Sequence, residues 1–455
     1  MILLTAEKIK KSYTEKPLLT SIDLTINDDD KIGLIGVNGS GKSTLLKIIA
    51  GAIEPEGGVI TKGKELRSAY LPQNPDFDEN LSVMDQAVRY LETISPHFEF
   101  YQCQSMLTKL GIADFDQKMG ELSGGQRKRV AMAAVLTAES NLLILDEPTN
   151  HMDNDIIIWL EEFLIGYRGA IFMITHDRYF LDRVTGRIAE IDGGKLYSYD
   201  GNYDYYLETK GARKEMQLAS ERKRQAIYKK ELAWIRRGAQ ARTTKAKGRI
   251  QRFQELEDNK LVVDETSLEL NTISSRLGKK IIEIDSLSKA YGEKVLFSDF
   301  SYTLLRNDRI GIIGPNGCGK TTLLKEFLKA HSNPSANIQI AGGAKIGYYS
   351  QNIDILDPAK NLLGNLQETS SQSETLLRSI LIRLRFQRED FFKPIHILSG
   401  GEKAKAALAK TFVSDCNVLM LDEPTNHLDL DAVTALEELL CGAFCGFRGQ
   451  RILRT

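Results

Sequence analysis

The chain has 455 residues, enough for two or three domains that each bury a core. Its 60 basic and 61 acidic residues leave a formal charge of -1, which excludes polyanion binding through overall charge and makes any nucleic-acid surface a local feature. No apolar run approaches the roughly 18 to 20 residues that span a bilayer, and the opening MILLTAEKIKKSY is too poor in apolar residues for a secretory signal, so a cytoplasmic protein without a membrane span is expected.

In chain order, the first region alternates short apolar runs such as KIGLIG and NLLILD with longer helix-like stretches, which predicts an α/β fold with a largely parallel sheet. Between the first run and the helix that follows lies GVNGSGKS, residues 36–43. Glycines at this spacing let backbone N–H groups approach phosphate oxygens at a helix N-terminus. Lys42 is expected on the β- and γ-phosphates of ATP, and the Ser43 hydroxyl on Mg²⁺. The second run ends in Asp146 and Glu147, suited to holding Mg²⁺ and to polarising an attacking water.

The next region differs in kind. Residues 211–252 hold 14 Lys or Arg against three Glu, and apolar residues recur at helical spacing in Tyr228, Leu232 and Ile235, then in Ile250, Phe253 and Leu256. This predicts a basic helical hairpin whose turn is GAQARTTKAKG, residues 238–248.

Beyond it the first region repeats. GLIGVNGSGKST at 33–44 returns as GIIGPNGCGKTT at 311–322, and LSGGQ at 122–126 and LDEPTNH at 145–151 return as LSGGE at 398–402 and LDEPTNH at 421–427. Lys320, Thr321, Asp422 and Glu423 thereby take the roles of Lys42, Ser43, Asp146 and Glu147. The domains expected are 1–206, a linker 207–278 and 279–455. Five scattered cysteines have neither metal-ligand spacing nor an even count and are read as reduced; Cys441 and Cys445, four apart, are read as helix packing.

With these motifs the chain resembles the ABC ATPase superfamily over nearly its whole length. That resemblance implies tandem P-loop domains closing head to tail. Ser399, Gly400, Gly401 and Glu402 would then face the ATP held by Gly36, Asn38, Gly39, Ser40, Gly41, Lys42, Ser43 and Thr44. Reciprocally, Ser123, Gly124, Gly125 and Gln126 would face the ATP held by Gly314, Asn316, Gly317, Cys318, Gly319, Lys320, Thr321 and Thr322. It also implies adenine stacking by Tyr13 and Tyr291, sensing of Mg²⁺ and γ-phosphate by Gln73 and Gln351, and a switch role for His176 in ITHDRYF.

Two cassettes, no membrane span and a basic helical linker together resemble the ABC-F proteins, and ELAWIRRGAQARTTKAKGRIQRF at 231–253 is most similar to their Uup-like branch. The resemblance implies a monomer that binds the ribosome in its ATP-bound closed state, with the linker reaching rRNA and tRNA through Arg236, Arg237, Arg242, Lys245, Lys247 and Arg249. Antibiotic ribosome protection is a variant of that function. Outside it stand the ATPase subunit of a membrane transporter, against which the basic linker argues, and a DNA-directed ATPase, whose coiled coil would be far longer. The second copy departs from the first near its end. Only 29 residues follow Asn426, none of them a counterpart of His176, and truncation with loss of the following strand and helix is expected. Hydrolysis is therefore expected to be more secure at Glu147 than at Glu423.

Overall fold

The computed structural model describes residues 1–13, 17–95, 98–150, 152–213, five further positions up to 223, 279–292, 294–350, 355–426, 428–442 and 450–454. The chain divides into one compact unit formed by Met1–Asp200 with Leu268–Thr455 and a second formed by Gly201–Ser267.

In the first copy nine strands form one sheet. β1 (Ile2–Ser12), β2 (Pro17–Asn27), β3 (Lys31–Ile35), β4 (Gly57–Lys62), β5 (Ser68–Leu71), β6 (Leu142–Asp146), β7 (Ala170–Ile174), β8 (Arg187–Asp192) and β9 (Lys195–Asp200) lie in the order 4-1-2-9-8-3-7-6-5. The β4-β1-β2 edge is antiparallel, whereas β8-β3-β7-β6-β5 run parallel. The apolar run LLILD and its neighbour AIFMI are buried at every position, as parallel strands covered on both faces must be. Helix α1 (Lys42–Ala50) covers one face, inserting Leu45, Leu46, Ile48 and Ile49 among Leu4, Ile32, Ile144 and Phe172. A helical layer carries α2 (Val83–Ile94), α3 (Phe100–Lys109) and α4 (Gly124–Thr137); α5 (Asn154–Gly166) and α6 (Arg178–Val184) follow the strands β6 and β7.

In the second copy β10 (Lys280–Tyr291), β11 (Lys294–Leu305) and β13 (Ile338–Ile340) repeat the antiparallel edge. β12 (Arg309–Ile313) leads into α7 (Lys320–Ser332), and β14 (Ile346–Tyr349) pairs in parallel with β15 (Val418–Leu421). Its helical layer contains α8 (Leu362–Gln367), α9 (Glu374–Arg383) and α10 (Gly400–Val413), with α11 (Leu430–Gly442) after β15. The expected loss of the following strand is corrected here. Gln450–Arg454 forms β16, parallel to β12 from Arg309↔Gln450 to Ile313↔Arg454, beside β12 as β7 stands beside β3. QRILR has only two apolar residues in five, so its strand character came from pairing rather than pattern.

In the unit Gly201–Ser267 residues 203–213 are helical. There the buried rings of Tyr203 and Tyr206 lie 5.6 Å apart, and Lys210 Nζ donates to Tyr206 OH at 2.6 Å. The turn at 238–248 and the six basic tip residues fall outside the described residues, as do Gln351 and Cys445.

Because Phe172 is fully buried between α1 and its neighbouring strands, Phe172→Ala is expected to destabilise the first copy by about 3–5 kcal/mol in urea unfolding followed by tryptophan fluorescence. A loss below about 1 kcal/mol would mean that the surrounding side chains close the cavity.

Candidate functional site

Parallel strands deliver their C-terminal ends to one rim of the sheet, and the first site is assembled on the loops leaving β3, β6 and β7. After β3 the chain turns through Gly36, where an added Cβ would stand 2.7 Å from the Ile191 carbonyl oxygen, so only glycine permits the turn. Lys42 is 7% exposed, and its Nζ donates to the Gly36 carbonyl at 2.7 Å and the Val37 carbonyl at 3.1 Å. Burial pushes its pKa down, opposed by the charges of Asp429, Glu147 and Asp146.

Asp146 ends β6 with no exposure. Its Oδ1 accepts from Ser43 Oγ at 3.4 Å, while Oδ2 has no hydrogen-bond partner among the described residues. Burial, then repulsion from Glu147, pushes its carboxyl up to about 6. A hydroxyl and an unsatisfied buried carboxylate converging on one point make a donor set that fits a hard, oxygen-seeking divalent cation. The next residue, Glu147, has a left-handed backbone at φ 52, and Glu423 repeats it at φ 48. Such a conformation costs a non-glycine residue about 1–2 kcal/mol, and its recurrence in both copies marks it as a built feature. Glu147 N–H donates to the Ile174 carbonyl at 2.9 Å, Asn150 Nδ2 donates to Oε2, and His176 Nε2 lies 3.4 Å from Oε1. Burial alone would raise this carboxyl. The His176 hydrogen bond and the charges of His176, Lys128 and Lys42 outweigh it, and Glu147 stays below the usual carboxylate range.

The second copy repeats the arrangement. Lys320 Nζ donates to the Gly314 and Pro315 carbonyls at 2.8 and 2.9 Å, Thr321 Oγ1 to Asp422 Oδ1 at 3.0 Å, and Asn426 Nδ2 to Glu423 Oε2 at 2.6 Å. Here the other oxygen of the aspartate is met, by Tyr348 OH at 3.2 Å. Burial and Asp422 push that phenol up to about 12. Tyr70 is its counterpart. Its buried hydroxyl has no hydrogen-bond partner among the described residues, and burial and the Asp146 charge push its pKa up.

The two copies meet head to tail through their phosphate loops. The Asn38 backbone N–H donates to Asp429 Oδ2 at 3.0 Å, and the Asn316 N–H donates to Asp153 Oδ1 at 2.6 Å. Arg178 Nη1 bonds Glu437 Oε2 at 2.7 Å. Asp429 is 1% exposed; it also accepts from the Ala432 N–H at 2.8 Å at the start of α11 and lies 3.8 Å from Lys405 Nζ. Lys405, on the signature helix α10, is thereby brought toward Lys42 of the other copy, whose pKa it helps to lower.

Ser123 and Ser399 cap α4 and α10. Each hydroxyl accepts from the N–H three residues on, while Gln126 Oε1 and Glu402 Oε2 accept from the cap residue's own N–H at 2.9 and 2.8 Å. The side chains of Gln126 and Glu402 are thus turned onto their own helices. At Gly124 and Gly400 an added Cβ would meet nothing within 4 Å. Among the described residues no packing requires glycine at these two positions. Tyr13 and Tyr291 stand 62% and 60% exposed, each with a lysine ammonium over its ring at 5.7 and 5.8 Å, and Gln73 is exposed on the loop after β5. Cys318 is half-buried in its phosphate loop at the position of Ser40. Sequence reasoning missed Asp153 and Asp429, Asn150 and Asn426, Tyr70 and Tyr348, and Lys128. All but Lys128 recur in register between the copies, which is the signal that could have found them.

Two phosphate loops, each with an acidic strand end and each touched by the opposite copy, define a twin-cassette P-loop ATPase. The ABC transporter family pattern matches residues 19–150 and 297–426, and a second pattern described as ABC transporter matches 189–270. The chain is 38% identical to the uncharacterized ABC transporter ATP-binding protein YfmR of Bacillus subtilis, over 97% of this chain and 77% of that protein. It is 34% identical to the energy-dependent translational throttle protein EttA of Mycobacterium tuberculosis, over 96% of this chain and 86% of that one. Among solved structures, RNase-L Inhibitor shares the tandem fold at a TM-score of 0.66 and 18% identity, over 98% of this chain and 84% of its own. The chain belongs to the ABC-F family of ABC ATPases. Among the described residues no helix is long and apolar enough to cross a membrane.

Asp429→Ala would strip the Asn38 amide and the start of α11 of their acceptor and leave the buried Lys405 ammonium without its carboxylate. An expected loss of about 3–5 kcal/mol should appear in thermal unfolding. Asp153, half-buried, should lose only about 1 kcal/mol as Asp153→Ala. Equal losses at the two positions would contradict the difference in burial.

Proposed function

We infer that the chain is an ATP-driven translation factor that binds the ribosome when its two cassettes are closed on ATP and leaves after hydrolysis. The observation that carries this reading is a segment of 14 basic and three acidic residues set between two cassettes, each of whose phosphate loops is met by an aspartate of the other cassette within one chain. The name of EttA, a translational throttle, supports it. Residues 1–206 and 279–455 act as the cassettes, and 207–278 as the linker that carries Arg236, Arg237, Arg242, Lys245, Lys247 and Arg249 to rRNA and tRNA phosphates. The molecule works in the cytoplasm as a monomer whose dimer of cassettes is internal.

In this reading Lys42 and Lys320 exchange their loop carbonyls for phosphate oxygens, so ATP competes with the loop's own hydrogen bonds. Ser43, Asp146 and Gln73 hold Mg²⁺ in one site, and Thr321, Asp422 and Gln351 in the other. Mg²⁺ supplies charge neutralisation at the β- and γ-phosphates. Glu147 and Glu423 orient and polarise the attacking water, with Asn150 and Asn426 fixing each carboxylate and His176 steadying Glu147. Ser123 and Ser399, with the open glycines after them, receive the γ-phosphate held by the opposite loop. Hydrolysis removes that shared γ-phosphate and with it the attraction across the interface.

The Glu147→Gln, Glu423→Gln double variant retains the charge-binding groups but not the general base. It is expected to co-sediment with ribosomes in ATP and not without it, and the association should weaken as salt rises. Failure to co-sediment at low salt with ATP bound would overturn the ribosomal reading.

A further inference from the structure

Helix α4 belongs to both sites. Its first residues, Ser123 to Gly125, serve the nucleotide on Lys320 in the reading above, on which this inference rests. About one and a half turns further along, roughly 8 Å of helix rise, stands Lys128. Lys128 is 5% exposed, and its Nζ donates to the backbone carbonyl of Glu147 at 2.5 Å. The negative charges of Glu147 and Asp146 act on the same ammonium, opposing the fall in its pKa that burial causes.

Burying a lysine is costly unless its charge and donors are used, and here they are used on the chain segment that carries the water-activating glutamate. Glu147 sits there in a left-handed conformation, on a peptide that must hold its angle for the carboxylate to meet the γ-phosphate. In the second copy the register of LSGGQ on LSGGE puts Ala404 at this place, with α10 capped by Ser399 as α4 is by Ser123. Alanine has no group with which to reach Glu423. The tie between signature helix and glutamate is therefore present in the first copy and missing from the matching position of the second.

We propose that Lys128 is a positioning residue that couples the two ATP sites: capture of the γ-phosphate on Lys320 by the start of α4 sets the Glu147 peptide for hydrolysis of the ATP on Lys42. At the matching place α10 carries Ala404, which has no side-chain donor with which to repeat this hydrogen bond. The helix is the rigid element and the Lys128–Glu147 hydrogen bond its connection to the chemistry.

The test uses the full chain with one site silenced at a time. In Glu423→Gln, where turnover is confined to Glu147, Lys128→Met should lower kcat about tenfold or more and change KM less than twofold, and Lys128→Arg should recover most of the loss. In Glu147→Gln, where turnover is confined to Glu423, Lys128→Met should change kcat less than twofold. A merely structural lysine would harm both backgrounds, since both need an intact α4. Ser123→Ala in the Glu423→Gln chain should slow hydrolysis at Glu147, and should add less than twofold once Lys128→Met is present. Equal losses in both backgrounds, or losses that multiply fully, would overturn the coupling. Absence of all turnover in Glu423→Gln alone would instead overturn the reading that Glu147 hydrolyses ATP.

Discussion

A carboxylate with no access to water is expensive to keep, and Asp146 is such a group: one oxygen meets a single hydroxyl and the other meets nothing among the described residues. The rest of the first site is organised around that deficit. Lys42 and Lys128 are buried nearby, the cation-seeking face of Asp146 opens toward Ser43, and Glu147 is tied by backbone and side chain on every side. The sheet tolerates this because β3, β6 and β7 are apolar but for Lys31 and Asp146 and bring their C-terminal ends to one rim. Stability is thus invested in the strands and given up at their ends, as expected of a site made for a polyanion.

The same economy explains why two copies are needed. Each phosphate loop presents backbone N–H groups outward, and a backbone donor near a low-dielectric interface needs an acceptor. Asp153 and Asp429 provide one across the interface, each six residues beyond its own copy's glutamate, so the segment that follows the acidic strand end in one cassette also completes the loop of the other. Capping serves the same interface from the opposite direction. Gln126 and Glu402 fold back on their helices, leaving Ser123, Ser399 and the glycines after them free of bulk on the outer side.

Much of this was legible in the sequence because glycine, lysine and acidic residues at fixed spacing have few structural uses, and their return at a constant offset removes most others. The tandem α/β fold, the phosphate loops and the acidic strand ends followed from that. Asp153, Asp429, Tyr70, Tyr348 and Lys128 are ordinary residue types in ordinary positions, and what they do depends on neighbours far away in the chain. The strand at Gln450–Arg454 was missed for a related reason: its apolar content is low, and the evidence for it is the pairing with Arg309–Ile313. The helical hairpin expected from the spacing of Tyr228 to Leu256 in the basic segment lies outside the described residues, its arms as well as its turn.

The two reciprocal aspartates differ in how much water reaches them. Asp429 is sealed against Lys405 and anchors the first turn of α11, whereas Asp153 is half open to solvent. Water can replace the Asn316–Asp153 bond at little cost, but replacing the Asn38–Asp429 bond means wetting a buried ion pair. A force that parted the cassettes would then peel them rather than split them cleanly, starting at the loop of the second copy and pivoting on that of the first. Two loops of nearly the same sequence are thus held with unequal persistence, that of the first copy longer than that of the second.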